Sequence, residues 1–317
     1  MNVKTKKYLY NVYGLNVESE IMIPELTILN PNYKDNIDVK IIFDFMNEDI
    51  KQKIDKKEIA AYNSDEVWFH IDNVGTYLIQ NGDTVTIDLC ENPDLNILKV
   101  YILGSVLGII LLQRNTVAIH GGSIVINNKG CIFTGDKGAG KSTLTTALRQ
   151  KGYDFVSDDV GAIELSDIPM INPGFGYQKL CEDAMTKLGY DSSKFTPFRS
   201  DMNIKYIVPA LDNFVKEKVP FKALFEIEQG DTQKVEVVEV TGNEKLQKII
   251  KNVFRIEVLI YSGGVPGDYF KKCIEIAKHI KFYKITRPKN QFTVNEQIDI
   301  IENIMYQKHD TIVEELG

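Results

Sequence analysis

Gly135, Asp136, Lys137, Gly138, Ala139, Gly140, Lys141 and Ser142 fit the pattern G-x-x-x-x-G-K-[ST], the spacing of a loop that wraps phosphate. Glycines let backbone N–H groups turn inward around phosphate oxygens with no Cβ in the way, and a helix behind them adds its positive end. In such a loop Lys141 reaches the β- and γ-phosphates, the Ser142 hydroxyl ligates Mg²⁺, and Thr143 follows at the head of the helix. The chemistry this spacing points to is binding of ATP or another nucleoside triphosphate with Mg²⁺.

Two carboxylates, Asp158 and Asp159, end a short apolar run only one helix past Lys141. One could hold Mg²⁺ directly or through water, and the other could accept the proton of an attacking hydroxyl. The separation is shorter than in motor and helicase ATPases. A solvated turn after a strand is the plain alternative. His120 stands just upstream, before Gly121 and Gly122, where it could orient or share a proton with one of the pair, or serve structure alone. His70, His279 and His309 have no such setting. No Ser/His/Asp or Cys/His arrangement stands out, and neither H-E-x-x-H nor G-x-G-x-x-G is present, so phosphoryl chemistry has no rival motif.

These residues need elements to carry them. A hairpin of 123–126 and 131–134, turning at Asn127 and Asn128, delivers the chain into the loop, and Leu144, Ala147 and Leu148 follow at helical spacing until Gly152. The strand 155–157 then ends at the Asp pair. A strand–helix–strand crossover would lay it beside the loop strand and bring both ends to one sheet edge. Upstream, a strand is expected at 116–120. Downstream the pattern predicts helices over 179–188, 243–253, 268–279 and 294–306, and strands at 205–208, 221–228, 235–240 and 282–285. The first ninety positions read as β-rich, with strands around Gly14, over 37–45 and 67–71, and a clear hairpin of 77–80 with 84–88 across Asn81 and Gly82. Trp68 and the other aromatics of that part are expected in the core. The division that follows is residues 1–92, β-rich, and 93–317, α/β, giving α+β overall.

With 317 residues and 44% hydrophobic composition, the chain can bury a full core. Its net charge of −7, with both signs mixed throughout, lacks the basic stripe of a nucleic-acid binder. Cys90, Cys131, Cys181 and Cys273 show no C-x-x-C spacing, which argues against zinc and a disulfide framework and for reduced thiols in a cytoplasm. The basic start, Met1 to Lys7, has no apolar stretch and cleavage site after it. The apolar run 100–112, preceded by a capping Asp94 and bracketed by Lys99 and Arg114, is short of the roughly 20 residues a spanning helix needs. It is expected in a protein core, not a membrane, and nothing here bars a homo-oligomer. Residues 310–317 are expected to fray.

Taken together, His120-Gly121, the segment Thr134 to Ser142, and Val156, Ser157, Asp158 and Asp159 resemble the catalytic half of HPr serine kinase/phosphorylase. That family is related to phosphoenolpyruvate carboxykinase and sets its phosphate loop on an α/β core. The resemblance implies one Asp as general base toward a serine hydroxyl, its neighbour as Mg²⁺ ligand, and His120 in support. The resemblance allows either Asp either role; Asp158 as base and Asp159 as ligand is the expectation. Lys137 stands where the family usually has Ser, and Thr143 where it has Glu; its later Gly-rich, arginine-bearing signature is not found. Tyr10 to Gly14, Ile23 to Leu26, Leu103-Gly104, Gln113-Arg114 and Lys205-Tyr206 look like HPr-kinase-like proteins of peptide-modification clusters, which phosphorylate a serine of a precursor peptide. In that comparison Lys205 would neutralise charge on the transferred phosphate, although a strand-edge lysine in solvent has the same appearance. The expectation is a serine kinase acting on a peptide or protein. A nucleotide-binding regulatory or scaffold protein, and a kinase of a small-molecule hydroxyl or carboxylate, are the alternatives.

Overall fold

The computed structural model describes residues 6–30, 36–200 and 203–307. Positive-φ residues set the N-terminal turns. Asn81 and Gly82 take φ of 54° and 68°, values that Asn and Gly adopt with least strain, and they join Gly75–Gln80 to Thr84–Leu89. Tyr13 and Gly14 do the same between Tyr8–Val12 and Leu15–Ser19. These strands belong to an eight-stranded sheet in the order Thr27–Ile28, Tyr8–Val12, Leu15–Ser19, Val39–Phe43, Thr84–Leu89, Gly75–Gln80, Glu66–Ile71, Ala60–Tyr62. Trp68 is buried there, as expected. The β-rich reading missed one helix, Glu48–Asp55, whose first turn is capped by Asn47 accepting the Ile50 N–H at 2.9 Å.

The apolar run is a helix from Leu95 to Gln113, capped by Asp94 and widened to a π-turn at Ile102–Val106. Its 19 residues reach past the apolar run to the ends expected at Asp94 and Arg114, and by length and composition it could cross a membrane. It instead packs as a core element. Leu98 O accepts from the Tyr77 hydroxyl, and Gln113 Nε2 donates to Ile79 O, which bind it to the first sheet. On its other side Gly108 lets the Phe254 ring approach so closely that a Cβ would lie 2.2 Å from it. The expected boundary at residues 92–93 falls just ahead of this helix, and buried side chains pack continuously from the first sheet across it.

The second sheet has nine strands. Its central strand, Val219–Gly230, runs parallel to the loop strand Lys129–Thr134 on one side and to Lys281–Pro288 on the other. Asp154–Ser157 does not lie beside the loop strand. Gly122–Ile126 stands between them, antiparallel to both, because the Asn127–Asn128 turn folds it back onto the loop strand first. The two strands are therefore parallel at one remove, and both end on the same edge. The loop helix Lys141–Gln150 and the last helix Val294–Tyr306 cover one face, with Leu144, Leu148, Ile298 and Ile301 against Phe133 and Phe225.

A third, antiparallel sheet joins Tyr177–Cys181, Asn203–Pro209 and Pro197–Ser200. Here the expected helix over 179–188 is corrected. Its first three positions belong to a strand, and only Glu182–Lys187 is helical. Pairing with residues 205–209 and burial of alternate residues Gln178 and Leu180 override the helical pattern. Strand Pro169–Asn172 and helix Ile256–Tyr261 were also missed. His309 and the tail 310–317 lie outside the described residues.

Candidate active site

The loop leaves its strand at Gly135, where φ is 138° and a Cβ would sit 2.2 Å from Ile227 O on the neighbouring strand. Gly138 and Gly140 also take positive φ, at 84° and 110°, and the helix begins at Lys141. Lys141 Nζ folds back over the loop and donates to Gly135 O at 2.7 Å and Asp136 O at 3.3 Å. Burial lowers its pKa, against the pull of Asp159 and Asp136. The loop's carbonyls are braced from the sheet. Arg287 Nε donates to Ala139 O at 2.8 Å, and Gln229 Nε2 donates to Gly138 O at 3.0 Å.

Lys179 organises the carboxylate pair. Its backbone N–H donates to Asp158 Oδ2 at 2.9 Å, and its Nζ pairs with Asp159 Oδ2 at 2.7 Å. The strand alternation explains this: Gln178 and Leu180 face away while Lys179 faces the pair. Gln178 in turn meets the loop helix, hydrogen-bonding Thr145, Thr146 and Arg149. The two acids diverge. Asp158 is 3% exposed, and burial pushes its carboxyl up to about 7, reinforced by the charge of Asp159. Burial also opposes ionisation of Asp159, but the charge and hydrogen bond of Lys179, with His120 and Lys205, hold it well below the usual carboxylate range. Lys179 is itself held charged by Asp159 against the cost of burial.

His120 is fixed by its backbone. Its N–H donates to Asn252 O at 2.8 Å, and its carbonyl accepts from the Thr134 hydroxyl at 2.7 Å. Thr134 Oγ1 also lies 2.8 Å from Asn252 Oδ1, and Asn252 Nδ2 donates to buried Glu226, which pairs with Lys248. A buried polar network thus ties His120 to the last residue before the loop. His120 Nδ1 is buried with no hydrogen-bond partner among the described residues, and burial lowers the ring's pKa despite the charge of Asp159.

One cavity of about 450 Å³ gathers these groups. Lys137, Gly138, Gly140, Lys141, Ser142 and Thr143 form its loop side, with His120, Asp159 and Lys205 opposite. Gly135, Asp136 and Ala139 build the loop behind that surface, and Asp158 stands behind the wall rather than on it. Lys205 arrives on the third sheet, paired with Cys181, which also lines the cavity. Three cations of the cavity were missed from sequence, Lys187 at its far end, Lys179 and Arg287. Lys179 was hidden by the helical reading of its segment, and Arg287 sits on a strand 146 positions after Lys141, reachable only through the sheet order. Lys141, Lys179, Lys205 and Arg287 give the cavity the charge a polyphosphate needs.

Among the described residues no group of three or more His, Cys, Asp or Glu side chains gathers to hold a metal unaided. Mg²⁺ beside phosphates takes most of its oxygens from phosphate and water. The donor set Ser142 and Asp159, an oxygen pair on one cavity, fits that use.

No protein-family model matches the chain, and no curated protein does. Among solved structures it is similar to the HPr(Ser) kinase/phosphatase from Coxiella burnetii, with 16% identity and a TM-score of 0.29, covering 59% of this chain and 92% of that one. A superposition so loose carries no inference about function, and the chemistry rests on the cavity's own geometry.

Proposed function

We propose that this chain is an ATP- and Mg²⁺-dependent phosphotransferase that moves the γ-phosphoryl group to a serine hydroxyl of a peptide or protein. The observation that carries the reading is one cavity shared by the loop's Lys141, the ionised Asp159 and the further cations Lys179, Lys205 and Arg287. Loop amides and Lys141 would hold the β- and γ-phosphates, while Lys179 and Lys205 would offset charge on the group in flight. Asp158, poised near neutrality by burial, has the proton affinity of a general base. The acceptor oxygen would bond to the γ-phosphorus as the β–γ bridge breaks, its proton passing to Asp158 and ADP leaving. Mg²⁺, when held by Ser142 and Asp159, would screen the phosphate charge. His120, whose Nδ1 has no partner among the described residues, would support Asp159.

A ribosomally made precursor peptide as acceptor is supported by the motif resemblance at Tyr10 to Gly14, Ile23 to Leu26, Leu103-Gly104, Gln113-Arg114 and Lys205-Tyr206, and a cytoplasmic setting by the scattered cysteines. A small-molecule hydroxyl or carboxylate would suit the same cavity. One observation favours a second reading, a nucleotide-binding regulatory or scaffold protein without transfer. Asp158 stands behind the wall with Oδ2 engaged by the Lys179 N–H, and Asp159 is already neutralised by Lys179. Transfer of label from [γ-³²P]ATP to serine-bearing peptides, compared between wild type and Asp158→Asn, separates the two. Loss of transfer in the variant supports the base; unchanged transfer removes Asp158 from that role.

A further inference from the structure

The cavity extends well past the phosphate loop. Beyond Thr143 it runs between the helix Glu182–Lys187 and residues 291–297 at the head of the last helix. Ala184 and Lys187 line one side, and Phe292, Val294 and Gln297 the other. The walls approach each other at the mouth, where Lys187 Nζ lies 6.0 Å from the centroid of the Phe292 ring. Phe292 keeps 52% of its surface exposed, while Ala184 and Val294 make an apolar floor.

The polar group in this floor is unusual. Gln297 is only 3% exposed, yet it lines the cavity. Its Nε2 donates to Thr293 Oγ1 at 3.2 Å, which leaves the amide carbonyl as the pole for an incoming donor. Because Gln297 lines the cavity, this carbonyl is placed to accept from a ligand that brings an N–H. A half-exposed aromatic ring, the Lys187–Asp183 pair beside it, an apolar floor and one amide acceptor together describe a seat for a flat heteroaromatic ring bearing an amino group.

We infer that this end of the cavity seats the nucleobase, with its ring on Phe292 and its exocyclic amino group donating to Gln297 Oε1, so that adenine is preferred over hypoxanthine. This rests on the reading of the loop as a nucleoside triphosphate site. The phosphate end treats all nucleotides alike, and selection lies at Gln297 and Phe292.

Calorimetric titration with Mg-ATP, Mg-ITP and Mg-tripolyphosphate tests it. Wild type is expected to bind ATP about tenfold tighter than ITP, the worth of one good buried hydrogen bond. Gln297→Leu, close in shape, should bring the two nucleotides to within about threefold by weakening ATP. Phe292→Ala, at a half-exposed position, should weaken ATP about tenfold and leave tripolyphosphate unchanged. Equal affinity of wild type for ATP and ITP, a preference for ITP, or equal weakening of ATP and tripolyphosphate by Phe292→Ala overturns the inference. Failure of wild type to bind tripolyphosphate and ATP at all would instead remove the phosphate-loop reading, and this inference with it.

Discussion

Lys179 Nζ stands 2.7 Å from Asp159 Oδ2, joining the third sheet to the end of the strand that follows the loop helix. The pair is largely buried, with side-chain exposures of 12% and 29%, so neither charge can be removed without stranding the other. Lys179→Met is therefore expected to lower kcat by about 10²-fold or more, the usual cost of a lost charge-stabilising group. It should also destabilise the fold by a few kcal/mol, as breaking one side of a buried pair does. Single-turnover rates and urea unfolding of the variant check both.

Arg287, on the cavity wall, braces the loop through Ala139 O and the neighbouring Gly138 O. A lysine offers no planar fork to reach two carbonyls. Both Arg287→Ala and Arg287→Lys are expected to weaken Mg-ATP binding about tenfold, each removing a charge-assisted bond of about 1.5 kcal/mol. Full rescue by lysine would show that Arg287 acts through charge alone.

Asp158 sets a pH dependence of stability in the metal-free protein. Its folded-state pKa of about 7 lies above the ordinary carboxylate value of 3.8, so between these values the folded chain holds a proton the unfolded chain has lost. Stability from this group is therefore full below about pH 4 and falls as pH rises toward 7. Asp159 works oppositely and lower: its depressed pKa favours folding above 3.8 and that contribution fades in stronger acid. Urea unfolding in EDTA at pH 5 and pH 8 should show a smaller loss for Asp158→Asn than for wild type. An equal loss would place the titration elsewhere.

Cys181 is exposed and lines the cavity, whereas burial pushes the Cys273 thiol up to about 12 and that of Cys131 further still. Iodoacetamide at pH 8 should modify Cys181 while sparing Cys131 and Cys273. Saturating Mg-ATP should slow the Cys181 reaction several-fold, read by peptide mass spectrometry. No protection would mean that nucleotide leaves that wall of the cavity open.

The site was legible where chemistry is local. The spacing from Gly135 to Ser142 predicts its own loop, because glycine conformation and helix start are short-range effects. The hairpin before it and the helix after it were equally readable, as was Val294–Tyr306 from its apolar stripe. Lys179 was not, since its strand exists only through pairing with residues 205–209, and local pattern favoured helix. Arg287 and Asn252 were invisible because tertiary packing alone brings them to the site, Arg287 from a strand of the sheet and Asn252 from the end of the helix Gly242–Lys251. Asp158 and Asp159 were found as a pair, but their divergence is a matter of burial and of Lys179, neither of which their spacing contains.

The proposed γ-phosphoryl transfer from the loop to an acceptor hydroxyl can be followed label by label. Its most direct measurement follows parallel reactions with [α-³²P]ATP and [γ-³²P]ATP, wild type against Lys141→Ala, with a serine-bearing peptide as acceptor. The expected result is that γ-label alone reaches the peptide, one ADP forms per phosphoserine, and Lys141→Ala is slower by about 10²-fold or more. Transfer of α-label, or tight ATP binding with no label leaving the nucleotide, would contradict it.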